Sequence, residues 1–186
     1  MTRYAMVMDT RRCIGCHSCT VACRTWTELP IDVIYNPVVS EGAVGEWPNV
    51  HLTYTPMICM HCAKPACVPQ CPTGASRQDE DGIVWVEPTQ CMGCKVCANA
   101  CPYGARDYNK EEGWIRKCTF CKDRTRAGEP TYCVQTCHQK ARIFGDLDDP
   151  NSEAAKLVNG MYTERLFTEL GTDPQVYYIR DLGRRG

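Results

Sequence analysis

The sequence predicts an α+β fold of short hairpins and short helices held together through cysteine sulfur. Three observations carry that prediction. Sixteen of the 186 residues are cysteine, and they fall into four groups of four. Short strand-like runs bounded by Gly, Pro and Asp separate the groups. With the cysteines set aside, about 35% of the residues are apolar and only three are Phe, thin for burial alone at this length.

The elements follow in order. Residues 3–9 read as a short strand entering the first cysteine group. Residues 24–49 read as a connecting loop, punctuated by Pro30, Pro37, Gly42, Gly45 and Pro48, with a strand following at Val50–Thr55. Ser76–Gln78 and Ile83–Val86 flank an Asp-Glu-Asp-Gly turn and read as a hairpin. A second hairpin is expected around Lys110–Gly113 within the compact connector 102–117. The insert between Cys121 and Cys133, with Lys122, Arg124, Arg126, Gly128 and Pro130, reads as a basic surface loop. Asp149-Pro150 followed by Asn-Ser-Glu-Ala-Ala-Lys-Leu-Val carries helix-start signals, and Asn159-Gly160 a stop. Gln175–Ile179 reads as a final strand, and residues 146–186 as a tail that wraps the body or docks on a partner. The closing Gly183-Arg184-Arg185-Gly186 reads as a solvated end.

Cysteine spacing carries the chemistry. Cys13, Cys16, Cys19 and Cys23 form C-x2-C-x2-C-x3-C, as do Cys91, Cys94, Cys97 and Cys101. Cys59, Cys62, Cys67 and Cys71 form C-x2-C-x4-C-x3-C, and Cys118, Cys121, Cys133 and Cys137 form C-x2-C-x11-C-x3-C. No cysteine is left over. The first and third groups match the bacterial ferredoxin run, in which three thiolates hold one [4Fe–4S] cube and the fourth ligates the other cube of a pair. Two residues between ligands let the backbone wrap a cube and aim N–H groups at its sulfurs. The x3 step then carries the fourth thiolate away on a helix. Pro72 and Pro102 follow two of these fourth cysteines, where Arg24 and His138 follow the other two.

Competing readings fit less well. Structural zinc takes four ligands as two separated pairs, which triplets at x2, x2 do not supply. A disulfide scaffold needs an oxidising compartment, and residues 1–12 lack the long apolar region of a signal peptide. Cys13-Ile-Gly-Cys16-His17 formally matches a haem-attachment motif, but both cysteines belong to a group with Cys19 and Cys23. His17, His61 and His138 read as loop-shaping residues. Lys95, Lys117 and Lys122 read as surface residues that would raise a nearby reduction potential if close enough. Trp26, Trp47, Trp85 and Trp114 read as packing residues. The formal charge of −1 argues against a nucleic-acid partner, and no apolar run reaches membrane-span length.

Across residues 3–180 the chain resembles the four-cluster iron–sulfur subunits of molybdopterin oxidoreductases related to dimethyl-sulfoxide reductase, especially the polysulfide and thiosulfate reductase type. The residues carrying the resemblance are Cys13-Ile-Gly-Cys16, Met60-His-Cys62, Cys71-Pro-Thr-Gly-Ala75, Cys101-Pro-Tyr-Gly-Ala105, Lys117-Cys-Thr-Phe-Cys121 and the Phe144–Pro150 segment. It implies two packed bacterial-ferredoxin-like 2×[4Fe–4S] units with short hairpins and a wrapping C-terminal tail. The outer unit would comprise 1–23 with 103–145, the inner unit 50–102, with 24–49 connecting them and 146–186 as the partner-docking tail. It also implies the ligand sets Cys13, Cys16, Cys19 with Cys137; Cys118, Cys121, Cys133 with Cys23; Cys59, Cys62, Cys67 with Cys101; and Cys91, Cys94, Cys97 with Cys71. Some relatives replace a third-group cysteine and hold a three-iron cluster. All four are present here, so four complete [4Fe–4S] clusters are expected.

The functional expectation is a non-catalytic electron-transfer subunit. It would relay electrons between a molybdopterin catalytic subunit and a quinone-linked membrane anchor, in anaerobic respiration with a sulfur compound or similar acceptor. The resemblance implies export together with the partner to the periplasmic face of the membrane, with the cytoplasm as the alternative. The alternatives in function are a soluble polyferredoxin without a fixed partner and a zinc-binding structural protein.

Overall fold

A computed structural model describes residues 2–180, so the Gly183–Gly186 end lies outside the described residues. The central element is a three-stranded sheet in the order β8-β1-β9, with β1 at Tyr4–Asp9, β8 at Arg142–Asp146 and β9 at Val176–Ile179. β1 pairs antiparallel with β8, setting Met8 opposite Arg142, and parallel with β9, setting Met6 opposite Val176.

β1 is buried on both faces, and its alternation divides the core. Met6 and Met8 point to one side and pack with Val176, Tyr178, Ile58, Met60, Ile83, Phe120, Cys19, Cys62 and Cys133. Ala5 and Val7 point to the other and meet Ile143, Tyr177, Ile179 and Ala154 of α5 (Glu153–Gly160). Each fully buried side chain of this kind contributes about 1.5–3 kcal/mol. Gly145 in β8 lets α5 approach, because a Cβ there would collide with Ser152 Oγ and stand 3.1 Å from Ala154 Cβ. The helix stops at Gly160, where the sequence signals predict.

Among the described residues three two-stranded hairpins complete the sheet structure: β2–β3 (Val38–Val44 and His51–Pro56), β4–β5 (Ser76–Gln78 and Val84–Val86) and β6–β7 (Asp107–Asn109 and Trp114–Arg116). The last two fall where the turn chemistry predicts. Val84, Val86 and Ile115 pack with Ala75, Cys67 and Cys97 in a third, cysteine-rich cluster. The helices α1 (Ser18–Trp26), α2 (Val96–Asn99), α3 (Lys122–Arg126) and α4 (Tyr132–Gln135) all adjoin cysteine groups. No described helix is long and apolar enough to cross a membrane.

The structure corrects several expectations. The 24–49 stretch is not all loop, because β2 forms there. Its residues are largely exposed and its register shifts between Ser40 and Ala43, so it carries no apolar alternation and gains its order from pairing with β3. The insert after Cys121 is not a free basic loop. It begins with α3, whose Thr125 is buried, and Arg126 bonds Asp79 and Asp81 at 2.6 and 2.8 Å, tying the insert to the β4–β5 turn. Lys117 is not a surface residue; it is 2% exposed and donates to the carbonyls of Val84 and Cys118. Trp47 is 88% exposed and does not pack. Trp26 is also exposed, but stacks on Tyr132 at 5.0 Å and joins α1 to α4. The tail is integral to the core: β9 is buried throughout, and the Tyr178 hydroxyl donates to Pro56 O at 3.0 Å.

Candidate metal centres

All four C-x-x-C steps share one backbone device. The residue before the second cysteine has positive φ in every group: Gly15 at 68°, His61 at 41°, Gly93 at 69° and Phe120 at 52°. This left-handed residue curls the chain, and in the first three groups both flanking thiols line one cavity. Gly15 and Gly93 adopt it freely, whereas His61 and Phe120 hold a strained conformation costing of order 1–3 kcal/mol each. These two strained residues are partners: their rings stack at 3.7 Å, both fully buried, and Phe120 meets Phe144 edge-on at 5.1 Å. The stack joins the loop of the second cysteine group to that of the fourth.

After the curl a helix carries further thiols in the first, third and fourth groups, whereas in the second Cys67 lies in a turn. α1 holds Cys19 and Cys23, and α2 holds Cys97, each entered through a left-handed residue, His17 and Lys95. In the fourth group α3 intervenes, and α4 carries Cys133. α1 packs on α4, bringing the first and fourth groups together.

The structure gathers the cysteines into mixed sets. One cavity is lined by Cys13, Cys16, Cys19 and Cys137, a second by Cys59, Cys62, Cys67 and Cys101, and a third by Cys71, Cys91, Cys94 and Cys97. Each set takes three thiols from one group and one from another. The remaining four also lie together. Burial pushes the Cys23 thiol up to about 12, helped by Cys133 and Cys121 nearby. Burial likewise pushes Cys118 well up, with Cys23 and then Cys59 adding to it, so Cys118 neighbours the second set as well as its own. None of the sixteen cysteines forms a disulfide.

These sites fit anionic iron–sulfur cages by their donor chemistry. Thiols and apolar side chains dominate the lining, and among the described residues no carboxylate stands with them, whereas Arg106, Arg142 and Lys95 do. Protein N–H groups already point at sulfur: Ala141 N to Cys137 Sγ at 3.2 Å, Ser76 N to Cys71 Sγ at 3.4 Å and Phe120 N to Cys118 Sγ at 3.5 Å. Arg106 Nη2 donates to Cys67 Sγ at 2.9 Å. Without bound metal the Cys62 thiol is pushed up to about 12, chiefly by burial, so loading its site must release a proton.

The histidines take different roles. His61 Nδ1 accepts from Val84 N at 3.0 Å, and burial holds its ring neutral, well below the ordinary imidazole range. His17 and His138 are exposed. Arg106 and Arg142, both buried against cysteines, escape sequence reading, although a repeated Ala-Arg five residues beyond Cys101 and Cys137 marks them.

One substitution tests the backbone device. A Cβ on Gly93 would stand 2.5 Å from the Gly113 carbonyl oxygen, backbone that has no side-chain freedom to yield. Gly93→Ala is expected to cost about 1–2 kcal/mol for the left-handed conformation before that clash is counted. Iron at the Cys71, Cys91, Cys94, Cys97 set should be lost selectively, as iron analysis and electron paramagnetic resonance would record.

A fold of short elements wrapped around four thiol sets defines a class: a multi-cluster iron–sulfur protein of electron transport. Residues 50–147 match the model of a 4Fe-4S dicluster domain, and residues 12–75 match a second model of the same description. The chain is 40% identical to a subunit of the selenate reductase of Mesobacillus selenatarsenatis, covering 95% of this chain and 72% of that protein. It is 44% identical to a subunit of the tetrathionate reductase of Salmonella typhimurium, over 95% of this chain and 72% of the relative. A subunit of the sulfite dehydrogenase of Allochromatium vinosum is 36% identical, over 96% of this chain and 83% of the relative. The chain therefore belongs to the 4Fe-4S dicluster family, among the iron–sulfur subunits of molybdopterin oxidoreductases.

Proposed function

We propose that this protein is the non-catalytic electron wire of a respiratory oxidoreductase, carrying four [4Fe–4S] clusters between a molybdopterin catalytic subunit and a quinone-linked membrane anchor. The observation that carries the reading is the mixed composition of the thiol sets, three from one motif and the fourth from another. The ligands are Cys13, Cys16, Cys19, Cys137; Cys118, Cys121, Cys133, Cys23; Cys59, Cys62, Cys67, Cys101; and Cys91, Cys94, Cys97, Cys71. Two bacterial-ferredoxin-like units result, with 1–23 and 103–145 forming the outer one and 50–102 the inner. The 24–49 segment connects them, and the tail 146–186 braces the whole toward a partner.

When bound, the clusters supply one-electron carriers. The chain's part is to space them, exclude water and bias their potentials. The proximity of Cys118 to Cys59 supports a linear order with the Cys13 and Cys91 sets at the two ends. Cys16 and Cys94, one in each end set, are exposed, which suits exchange with partners there. We assign the complex to the periplasmic face of the membrane, the chain being exported with its catalytic partner.

The test is purification of the native complex with metal analysis. About sixteen irons and sixteen acid-labile sulfides per chain, with a co-purifying molybdenum subunit, are expected. Zinc without sulfide would overturn the cluster reading. A fully iron-loaded chain isolated as a stable, active monomer would overturn the fixed partner.

A further inference from the structure

Two buried arginines stand at equivalent points of the fourfold repeat. Arg106 lies five residues beyond Cys101, and Arg142 five beyond Cys137. They are 6% and 2% exposed. Arg106 Nη2 donates to Cys67 Sγ at 2.9 Å and to Ser76 Oγ at 2.8 Å. Arg106 lines the Cys59, Cys62, Cys67, Cys101 cavity, while Ser76 lines the Cys71, Cys91, Cys94, Cys97 cavity. Ser76 itself occupies the equivalent position five residues beyond Cys71, so one arginine and its repeat counterpart meet between the two cavities. Arg142 lines the Cys13, Cys16, Cys19, Cys137 cavity, donates to Asn36 Oδ1 at 2.6 Å, and lies within electrostatic reach of Cys133 in the neighbouring set.

A guanidinium does not deprotonate in a protein, and burying one without an anion costs several kcal/mol. Among the described residues neither arginine has a carboxylate partner, and Nη1 of each is buried without a hydrogen-bond partner. The negative charge that compensates them must come from the thiol sets in their loaded form. Iron-bound thiolates are anionic, and reduction makes the cage more so.

We propose that Arg106 and Arg142 are the charge-setting residues of the wire, each holding one fixed positive charge between the two cages of its own pair and raising the reduction potential of both. This rests on the cluster reading above. They are positioning residues that act on the electron's energy and accept no electron themselves. Reduction adds one electron and one negative charge to a cage and breaks no bond to cysteine. In the test the electron comes from dithionite and is returned to ferricyanide.

The experiment compares the loaded native complex with Arg106→Gln and Arg106→Lys, and with the same changes at Arg142. Iron and sulfide are counted, and each cluster is titrated by potentiometry under electron paramagnetic resonance. Arg106→Gln should lower the reduction equilibrium of the Cys59 and Cys91 clusters about tenfold, 59 mV for a one-electron couple, and leave the Cys13 and Cys118 clusters within twofold of native. Arg142→Gln should do the reverse, and each Lys variant should recover most of the shift. Unmoved potentials in a fully loaded Gln variant, or equal shifts in both pairs, would overturn the proposal. If a Gln variant does not retain iron, its Lys counterpart decides. Full loading with near-native potentials supports the charge role, and iron loss equal to that of Gln overturns it in favour of a structural one. A native complex without iron and sulfide would instead refute the cluster reading, an outcome distinguishable from either.

Discussion

Cys101→Ala is expected to abolish the cluster assigned to Cys59, Cys62 and Cys67 and to leave the cluster of its own motif, Cys91, Cys94 and Cys97, in place. Local spacing alone suggests the opposite, because Cys101 closes the third C-x2-C-x2-C-x3-C run. In the fold Cys101 lines the cavity with Cys59, Cys62 and Cys67, while Cys71 lines the one with Cys91, Cys94 and Cys97. The mirror variant, Cys71→Ala, should therefore cost the third group its cluster and spare the second. Cys137→Ala should act in the same way on the Cys13 set. Iron should fall by about four per chain in each case, with the loss assigned by the missing paramagnetic signal. Loss confined to the mutated motif's own cluster would contradict the exchange. Because bound metal contributes directly to folding free energy, faster proteolysis near the emptied set should accompany the loss.

Phe120→Ala is expected to be the most damaging change outside the ligands. Phe120 is fully buried, stacks on His61, meets Phe144 edge-on, and sits between Cys118 and Cys121 at a left-handed backbone position. Truncating a buried Phe costs about 3–5 kcal/mol, and alanine would still carry about 1–2 kcal/mol of left-handed strain. Phe120→Leu keeps much of the volume and should cost clearly less. The measurement is the rate at which visible absorbance bleaches in guanidinium, with the alanine variant much faster than the leucine variant. Equal rates for native and alanine proteins would mean that the stack does not hold the two cluster loops together.

The short elements differ in how far they were legible. The β4–β5 and β6–β7 hairpins and α5 could be read because their information is local: Asp79-Glu-Asp-Gly82 and Asn159-Gly160 bias the backbone whatever surrounds them. β2 was not legible, because its side chains are mostly exposed and its order comes from β3. α3 was hidden for a related reason. Lys122–Arg126 has a loop-like composition, and its helix is held by the left-handed Cys121 before it and the Asp79 and Asp81 carboxylates across space. Lys117 reads as a surface residue because charge predicts exposure; the carbonyls of Val84 and Cys118, which accept from its ammonium, make its burial tolerable.

By itself the sequence determined the number of thiol groups, the class of metal they suit and the family, because ligand spacing is a property of the local chain. It could not choose which group lends its fourth cysteine to which, since x3 leads a thiol away without naming its destination. The packing of α1 on α4 sets the first group beside the fourth, and the fold lines the second group's cavity with Cys101 and the third group's with Cys71. The same holds for charge. A sequence count sees Arg106 and Arg142 as two of 21 basic residues. Only the tertiary structure removes them from water and sets them against sulfur, where a positive charge is felt far more strongly than at the surface.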